Sequence, residues 1–206
     1  MLLAAGTVAF ERWSARPALQ WARAAAAAIL LVFGASGVPF SLPVLSPEAY
    51  LRYSAFMHFT PTSMVRGDLG PMPPFFADQF GWEEMTQVVS RAWHALPAEE
   101  RSRTAILAAD YGEAAAIDLL GRKYGLPHAI SGHQNYYLWG PGGYSGESAL
   151  TMGFSRAQLE RYFRSVEDAG VVFHPYSMPH EHFTVYHCRD PKHTLAQMWP
   201  MLKEWD

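Results

Sequence analysis

The chain has little of what most readily announces a function. Its 206 residues include a single cysteine, Cys188, which excludes an internal disulfide framework and any cysteine-rich zinc module. Charge is sparse as well. Asp, Glu, Lys and Arg make up 17% of the residues, the net charge is −3 and the isoelectric point is about 6.3, so no basic field is available to a nucleic-acid backbone. A Gly-x-Ser-x-Gly elbow, a glycine-rich loop ending in Lys-Ser or Lys-Thr and a dinucleotide fingerprint are all missing. So are low-complexity tails and internal repeats. Half of the residues are apolar, enough for the core of one domain with an appendage.

Charge is scarcest at the N-terminal end. Residues 1–10 carry none, and Ala24 to Phe40 is an uncharged run that would be about 26 Å long as a helix. That is the short end of what crosses a hydrocarbon core of about 30 Å. Arg12, Arg16 and Arg23 fall between the two apolar runs, which does not suit a cleaved signal peptide. By the positive-inside rule they place that connector in the cytoplasm and everything after Phe40 outside. Residues 1–40 are thus expected to be two membrane-helix remnants, the first cut short at Met1, with a buried helical hairpin as the alternative. Pro39, Pro43 and Pro47 then break the pattern. Residues 41–78 are expected to be a connector with one short helix, begun by the serine cap and N1 proline of Ser46-Pro47-Glu48.

Residues 79–206 read as a folded α/β domain. An apolar stripe through Phe76, Phe80, Met85, Val88, Val89, Trp93 and Leu96 predicts a helix facing a sheet. Thr104–Ala109 is a short apolar run suited to a buried strand, and a helical pattern follows through Ala114, Ile117 and Leu120. His128–Ser131 and Ala149–Phe154 read as strands. Ser155 caps a helix expected to run through Leu159, Tyr162, Phe163 and Val166 to Gly170. Val171–His174 and Phe183–Cys188 read as further strands, and Pro191–Trp205 as a terminal helix. This alternation predicts a three-layer α/β sandwich with a mostly parallel sheet, in which ligands meet the chain just past the C-terminal ends of the strands.

Both such places are decorated. Asp110-Tyr111-Gly112-Glu113 follows the first strand, where a carboxylate can cap the next helix or accept from a substrate hydroxyl. After the second strand, Ser131–Tyr144 carries four aromatic residues, an amide pair, a histidine and four glycines. Rings and amides in that mixture suit a sugar or a polar head group, although such a loop can also pack its rings into its own core. The candidate substrate-binding set is Asp110, Tyr111, Glu113, His133, Asn135, Tyr136 and Trp139. His180-Glu181-His182 has i, i+2 spacing, which aligns side chains only in a strand and not in the helical zinc motif. No metal, cofactor or catalytic residue is assigned, and Cys188 reads as a small buried hydrophobe.

Phe76–Met85 (FADQFGWEEM), Asp110–Glu147 (DYGEAAAIDLLGRKYGLPHAISGHQNYYLWGPGGYSGE) and His174–Pro179 (HPYSMP) resemble the C-terminal part of bacterial membrane glycosyltransferases. These are the relatives of dolichyl-phosphate-mannose–protein mannosyltransferases and of the aminoarabinose transferase. Val38–Tyr53 is similar to the exit of that family's last membrane helix. The resemblance implies a multi-span inner-membrane enzyme that takes a sugar from a polyprenyl-phosphate donor and ends in a periplasmic domain. That domain would assist donor or glycan-acceptor binding. The family's catalytic acid lies in an early external loop with no counterpart here, so no catalytic role transfers, and this chain alone is expected to be inactive. Relatives tend to read Asn-Tyr-Gly-Glu where Asp110-Tyr111-Gly112-Glu113 stands. Two other classes fit the residues: a membrane-anchored binding or assembly module without catalysis, and a small soluble α/β hydrolase with its site at Asp110 and His133.

Overall fold

The computed structural model describes residues 2–59 and 70–205, without the side chains of Leu2 and Leu3. The chain divides into two compact units, Met1–Thr60 and Pro61–Asp206.

The first unit holds α1 (Leu2–Ser14), α2 (Trp21–Ser41) and α3 (Pro47–Phe56). The segment Pro17–Ser41, which contains α2, is long and apolar enough to cross a membrane, with a mean hydropathy of 1.8. Its consecutive residues Ile29, Leu30, Leu31, Val32 and Phe33 are each exposed by 67–77%. A helix apolar all round and bare on every side fits lipid better than water. At 13 residues, α1 reaches only about 20 Å, so one helix here meets the length requirement where two were expected. At the basic end, Arg23 donates to Ser14 Oγ at 3.0 Å and to the Glu11 carbonyl at 3.2 Å. At the other end, the Tyr53 hydroxyl donates to the Ser36 carbonyl at 2.8 Å, and Phe40 packs among Tyr50, Tyr53 and Phe59. Ser46 caps α3 by accepting from Ala49 N, as its spacing from Pro47 predicts.

The second unit contains α4 (Pro74–Ala77), α5 (Trp82–Ala95), α6 (Ala98–Arg101), β1 (Thr104–Ala108), α7 (Tyr111–Leu120), β2 (Ala129–Ser131) and α8 (Gln134–Trp139). It continues with β3 (Ser148–Met152), α9 (Arg156–Tyr162), β4 (Phe163–Val172), β5 (Phe183–Pro191) and α10 (Leu195–Met198). The strands form one five-stranded sheet in the order β2-β1-β3-β5-β4. Every residue of β1 and β3 is buried, and alternate positions feed two cores. Ile106, Ala108, Leu150, Met152 and Val185 pack with Val88, Val89 and Ile117 of α5 and α7. Ala105, Leu107, Ile130, Ala149 and Cys188 pack with Leu159, Leu195 and Met198 of α9 and α10 on the opposite face. Each fully buried Leu- or Ile-sized side chain contributes roughly 1.5–3 kcal/mol. Glu83 of α5 is gripped by Lys123 at 2.8 Å and by the Tyr124 hydroxyl, which fixes the start of α5 against the end of α7.

Several expectations are corrected. The sheet is mixed rather than mostly parallel: β1 pairs in parallel with β2 and β3, but β5 pairs antiparallel with β3 and, over the longest ladder, with β4. The helix capped by Ser155 ends at Tyr162, and Phe163–Val172 is edge strand β4. The i, i+3 apolar spacing there is outweighed by pairing with β5, in which Glu167 meets Arg189 across the strands. Gly81, at φ +92°, interrupts the long helix expected from Phe76, so α5 starts at Trp82. The terminal helix is cut to Leu195–Met198 followed by a 3-10 turn at Trp199–Leu202, because Pro200 cannot continue the α-helical ladder. Residues 60–69 of the connector expected at 41–78 lie outside the described residues.

Candidate functional site

The chain leaves β1 through α7 to reach β2 on one side, then returns past β1 to β3 on the other. Helix α7 packs on one face, whereas Tyr137 and Tyr144 of the return pack on the other. Connections that part in this way put the switch point at the carboxyl ends of β1 and β3, where Ala109 N donates to the Met152 carbonyl at 3.0 Å and Gly153 packs directly against Glu113.

Asp110 is the N-cap of α7. Its Oδ1 accepts from Gly112 N at 2.6 Å, and Glu113 reaches back so that Oε2 accepts from Ala109 N at 3.1 Å and Asp110 N at 3.2 Å. This reciprocal capping box satisfies donors that a helix start otherwise leaves open. It leaves Asp110 Oδ2 to face His133, whose Nδ1 lies 2.7 Å away. Ionised Asp110 only accepts, so Nδ1 carries the proton. Tyr111 packs edge-on against the His133 ring at 5.1 Å.

A cleft of about 400 Å³ opens over this corner. Asp110, Tyr111, Gly112 and Glu113 form one wall. Phe80, Gly81, Trp82 and Met85, at and before the start of α5, form a second, with Asp78 beside them. Val172, His180, Glu181 and Phe183, around the β4–β5 connection, form the third. Phe80 stacks on His174, with centroids 5.0 Å apart and planes 5° from parallel. A side chain at Gly81 would meet Ser177 at 3.3 Å. The β4–β5 connection is therefore clasped to the start of α5, and the cleft is built from both.

Burial sets the electrostatics. It pushes the Glu113 carboxyl up to about 7, helped by the Asp110 and Glu181 charges, against the opposing pull of the two backbone donors. Asp78 is raised by burial and partly relieved by His180. Glu181 is raised by burial and by Asp78, with its bond from Met178 N and both flanking histidines working the other way. Four acids and one histidine thus share a cleft whose remaining walls are largely aromatic. Near neutral pH the Glu113 carboxyl can both donate and accept, whereas an ionised carboxylate beside it only accepts.

Of the residues singled out from sequence, Asp110, Tyr111 and Glu113 line this cleft, and His133 stands behind Asp110. The structure does not bring Asn135, Tyr136 and Trp139 there. Asn135 is exposed, the Tyr136 hydroxyl donates to Asp118 Oδ2 at 3.0 Å along α7, and Trp139 is 69% exposed beside Tyr136 at 4.5 Å. Asp78, Phe80, Trp82, His180, Glu181 and Phe183 were missed as site residues. His180 and Glu181 were weighed only as a metal pair, and the pointer to the rest was that they lie in, or just beyond, the two outer stretches of the resemblance. His180 and His182 part company: His180 faces the cleft, whereas His182 Nε2 sits 2.9 Å from the His174 carbonyl and 3.1 Å from Ser177 Oγ. Among the described residues no group of three or more His, Cys, Asp or Glu is placed to hold a metal ion. Cys188 is fully buried and its thiol is pushed up to about 11 by burial.

A second polar cluster lies at the opposite end of the sheet, where Ser148 Oγ is 2.9 Å from His187 Nε2 and Glu100 Oε1 is 3.2 Å from the same nitrogen. A hydrolytic triad needs the serine and the acid on different ring nitrogens. Here they compete for one, and Thr104 also donates to Ser148 Oγ at 2.9 Å. The cluster satisfies buried polar groups and does not activate a nucleophile. Comparison of the chain with protein-family models, curated proteins and solved structures gives no match.

Proposed function

We propose that this chain is the C-terminal part of a membrane glycosyltransferase that uses a polyprenyl-phosphate sugar. In this reading the cleft over Asp110 and Glu113 holds the sugar of the donor or of the acceptor glycan, on the periplasmic side of a bacterial inner membrane. The observation that carries it is a convergence. The three stretches that bear the resemblance, separated by tens of residues, supply or directly adjoin the three walls of one cleft. The chemistry of the walls agrees with a sugar. Carboxylates bind hydroxyls, aromatic faces stack on C–H faces, and Glu113 near its midpoint can meet a hydroxyl in either sense. The helix Trp21–Ser41 supplies the membrane association that a lipid-linked donor requires. No catalytic role falls to a residue of this chain, and the cleft is a binding element.

Equilibrium binding of short-chain polyprenyl-phosphate hexose and pentose to the full chain in nanodiscs tests this, with Asp110→Asn and Trp82→Ala as variants. Each substitution is expected to weaken binding by roughly tenfold, the equivalent of about 1.4 kcal/mol. Absence of saturable binding by the unsubstituted chain, or equal binding by both variants, rejects the assignment.

A further inference from the structure

A second pocket, of about 380 Å³, lies where the parallel strands end. Ala109, Gly132 and Phe154, which follow β1, β2 and β3, line it on the strand side. Gln158, Arg161 and Tyr162 line it from α9, at positions i, i+3 and i+4 that share one helix face. Lys203 and Glu204 close it from the C-terminal segment. That segment is fixed in place, because Gln134 N donates to the Glu204 carbonyl at 2.9 Å and Glu204 N donates to the Gly132 carbonyl at 3.0 Å. Phe154 and Tyr162 pack into the core shared with α9 and α10, whereas Trp82 and Phe183 of the acidic cleft pack into the core shared with α5 and α7. The two openings therefore lie on opposite faces of the sheet.

The pocket gathers hydrogen-bond donors that the protein leaves unused. Arg103, Arg156 and Arg189 each meet a carboxylate, but the Arg161 guanidinium has no hydrogen bond or ion pair among the described residues. Gln158 Oε1 accepts from Ser155 N and Ser155 Oγ, each at 2.8 Å, which leaves its amide N–H groups free. The Tyr162 hydroxyl also lacks a partner among the described residues, although the residue is half-buried. Lys203 lies 5.4 Å from the Tyr137 and Trp205 rings and pairs with no carboxylate among the described residues. Glu204, the one acid, is exposed. Free donors around two cations suit a ligand that is anionic and rich in acceptors. A phosphate monoester brings three strong acceptor oxygens and about −1.5 to −2 of charge, whereas a carboxylate brings two oxygens and a single charge. The position agrees, since open α/β sheets bind ligands at the carboxyl ends of strands whose connections part to opposite faces. Here those connections are α7 after β1 and α9 after β3.

We infer that this pocket binds the phosphate of a phosphorylated sugar or polyol. Arg161 and Lys203 hold the phosphate, Gln158 and Tyr162 donate to it, and Glu204 accepts from hydroxyls of the ester's body. The volume leaves room for that body, which a bare phosphate would not fill. The site does not depend on what the acidic cleft binds: four acids there repel an anion, whereas the charge here is net positive. The phosphate can arrive on a soluble ester or on a lipid carrier, and the chemistry at the pocket is the same for both.

The test is calorimetric titration of the full chain, in phosphatidylcholine nanodiscs, with glucose 1-phosphate and with glucuronate as the carboxylate control. Saturable binding of glucose 1-phosphate is expected, with glucuronate bound roughly tenfold more weakly. Arg161→Gln and Lys203→Gln should each weaken phosphate binding by about tenfold, as loss of one charge-assisted contact does. Glu204→Gln keeps both backbone bonds to the end of β2 and should tighten it severalfold, a gain that a disturbed fold would not produce. Arg164→Gln on edge strand β4 removes the same charge outside the pocket and should change little. Absence of saturable binding overturns the inference, and so does equal weakening by Arg164→Gln and Arg161→Gln. Binding that Asp110→Asn weakens and Arg161→Gln does not belongs to the cleft, which also overturns it. Glucuronate bound as tightly as the phosphate overturns the ligand class. Displacement of glucose 1-phosphate by short-chain polyprenyl phosphate upholds the pocket with a lipid-borne ligand, and failure to displace upholds it with a soluble one.

Discussion

His133 Nδ1 lies 2.7 Å from Asp110 Oδ2, so two residues 23 positions apart tie together the ends of two neighbouring parallel strands. Asp110 also accepts from Gly112 N at 2.6 Å, which gives one carboxylate a local duty and a distant one. Asp110→Ala should lose both, and loss of the cap alone costs about 0.5–2 kcal/mol. Asp110→Asn keeps an acceptor for Gly112 N and should recover the capping part. Thermal unfolding of Asp110→Ala, His133→Ala and the double variant is expected to show a coupling energy above about 0.5 kcal/mol. Strict additivity would mean that the two side chains are merely neighbours.

The Glu113 carboxyl is held at about 7 in the folded protein by burial, above its unfolded value near 4.5. The folded state therefore binds this proton more tightly. The stability linked to it is fully present below about pH 4.5 and is lost as pH rises through about 7. A shift of that size corresponds to roughly 3 kcal/mol. Glu113→Gln removes the titration while leaving an oxygen for Ala109 N and Asp110 N. It should flatten the melting temperature between pH 5 and pH 8, and above pH 7 it should be the more stable protein. An unsubstituted chain whose stability rises over this interval would contradict the burial of Glu113.

Gly153 packs directly against Glu113. It has a φ of +75°, and a Cβ there would stand 2.4 Å from Glu113 Oε1 and 2.8 Å from the Ala109 Cβ. Two backbone donors hold the carboxylate in place, so it cannot simply swing aside. Gly153→Ala is expected to destabilise the domain by about 1–3 kcal/mol through the backbone conformation alone. It should also abolish the pH response that Glu113→Gln abolishes, by expelling that carboxylate into water. A Gly153→Ala protein that melts like the unsubstituted one and keeps its pH slope would show that Gly153 and Glu113 are not in contact.

The first βαβ segment was legible because local signals agree there. An apolar run too short for a helix, an acid at the cap, a glutamate three residues on and a closing Gly125 all favour one conformation. The Phe163–Val172 strand was not legible, because its apolar spacing suits a helix and only its partner β5 decides otherwise. The site divides in the same way. Asp110 and Glu113 stand where any strand hands over to a helix, whereas Asp78, Trp82 and Glu181 reach the cleft only through the order β3-β5-β4 and the clasp of Phe80 on His174. Trp139 illustrates the converse: its composition suggested a ligand, but the turn of α8 carries it away from the cleft.

Helix α2 offers a direct test of membrane association. Leu30 lies near the middle of the apolar segment Pro17–Ser41 and is 71% exposed. An arginine at the centre of a membrane helix costs about 2.5–3.5 kcal/mol for insertion. Leu30→Arg should therefore lower severalfold the fraction of the chain that resists alkaline extraction from membranes. A neighbouring polar change at Ser36, whose hydroxyl already bonds the Phe33 carbonyl, should have little effect. Extraction that is indifferent to Leu30→Arg would assign α2 to a protein contact.

Gly132 is the point at which the sheet admits the C-terminal segment. A Cβ there would lie 1.9 Å from the Leu202 carbonyl oxygen and 2.5 Å from its carbon. Both are backbone atoms, and the Glu204 N–H that bonds Gly132 O fixes them. No rotamer change can relieve that overlap, so Gly132→Ala must push residues 199–205 off β2. The Tyr137–Trp199 and Tyr137–Trp205 contacts should then be lost, the Trp fluorescence should shift to the red, and the segment should become the first site of proteolysis. The cleft lies on the other side of β1, so Glu113→Gln should still flatten the pH dependence in this background. Loss of both properties together would mean that the C-terminal segment supports the whole sheet. Loss of the Tyr137 contacts alone would show that the segment is a separable attachment, as its bonding through one strand end suggests.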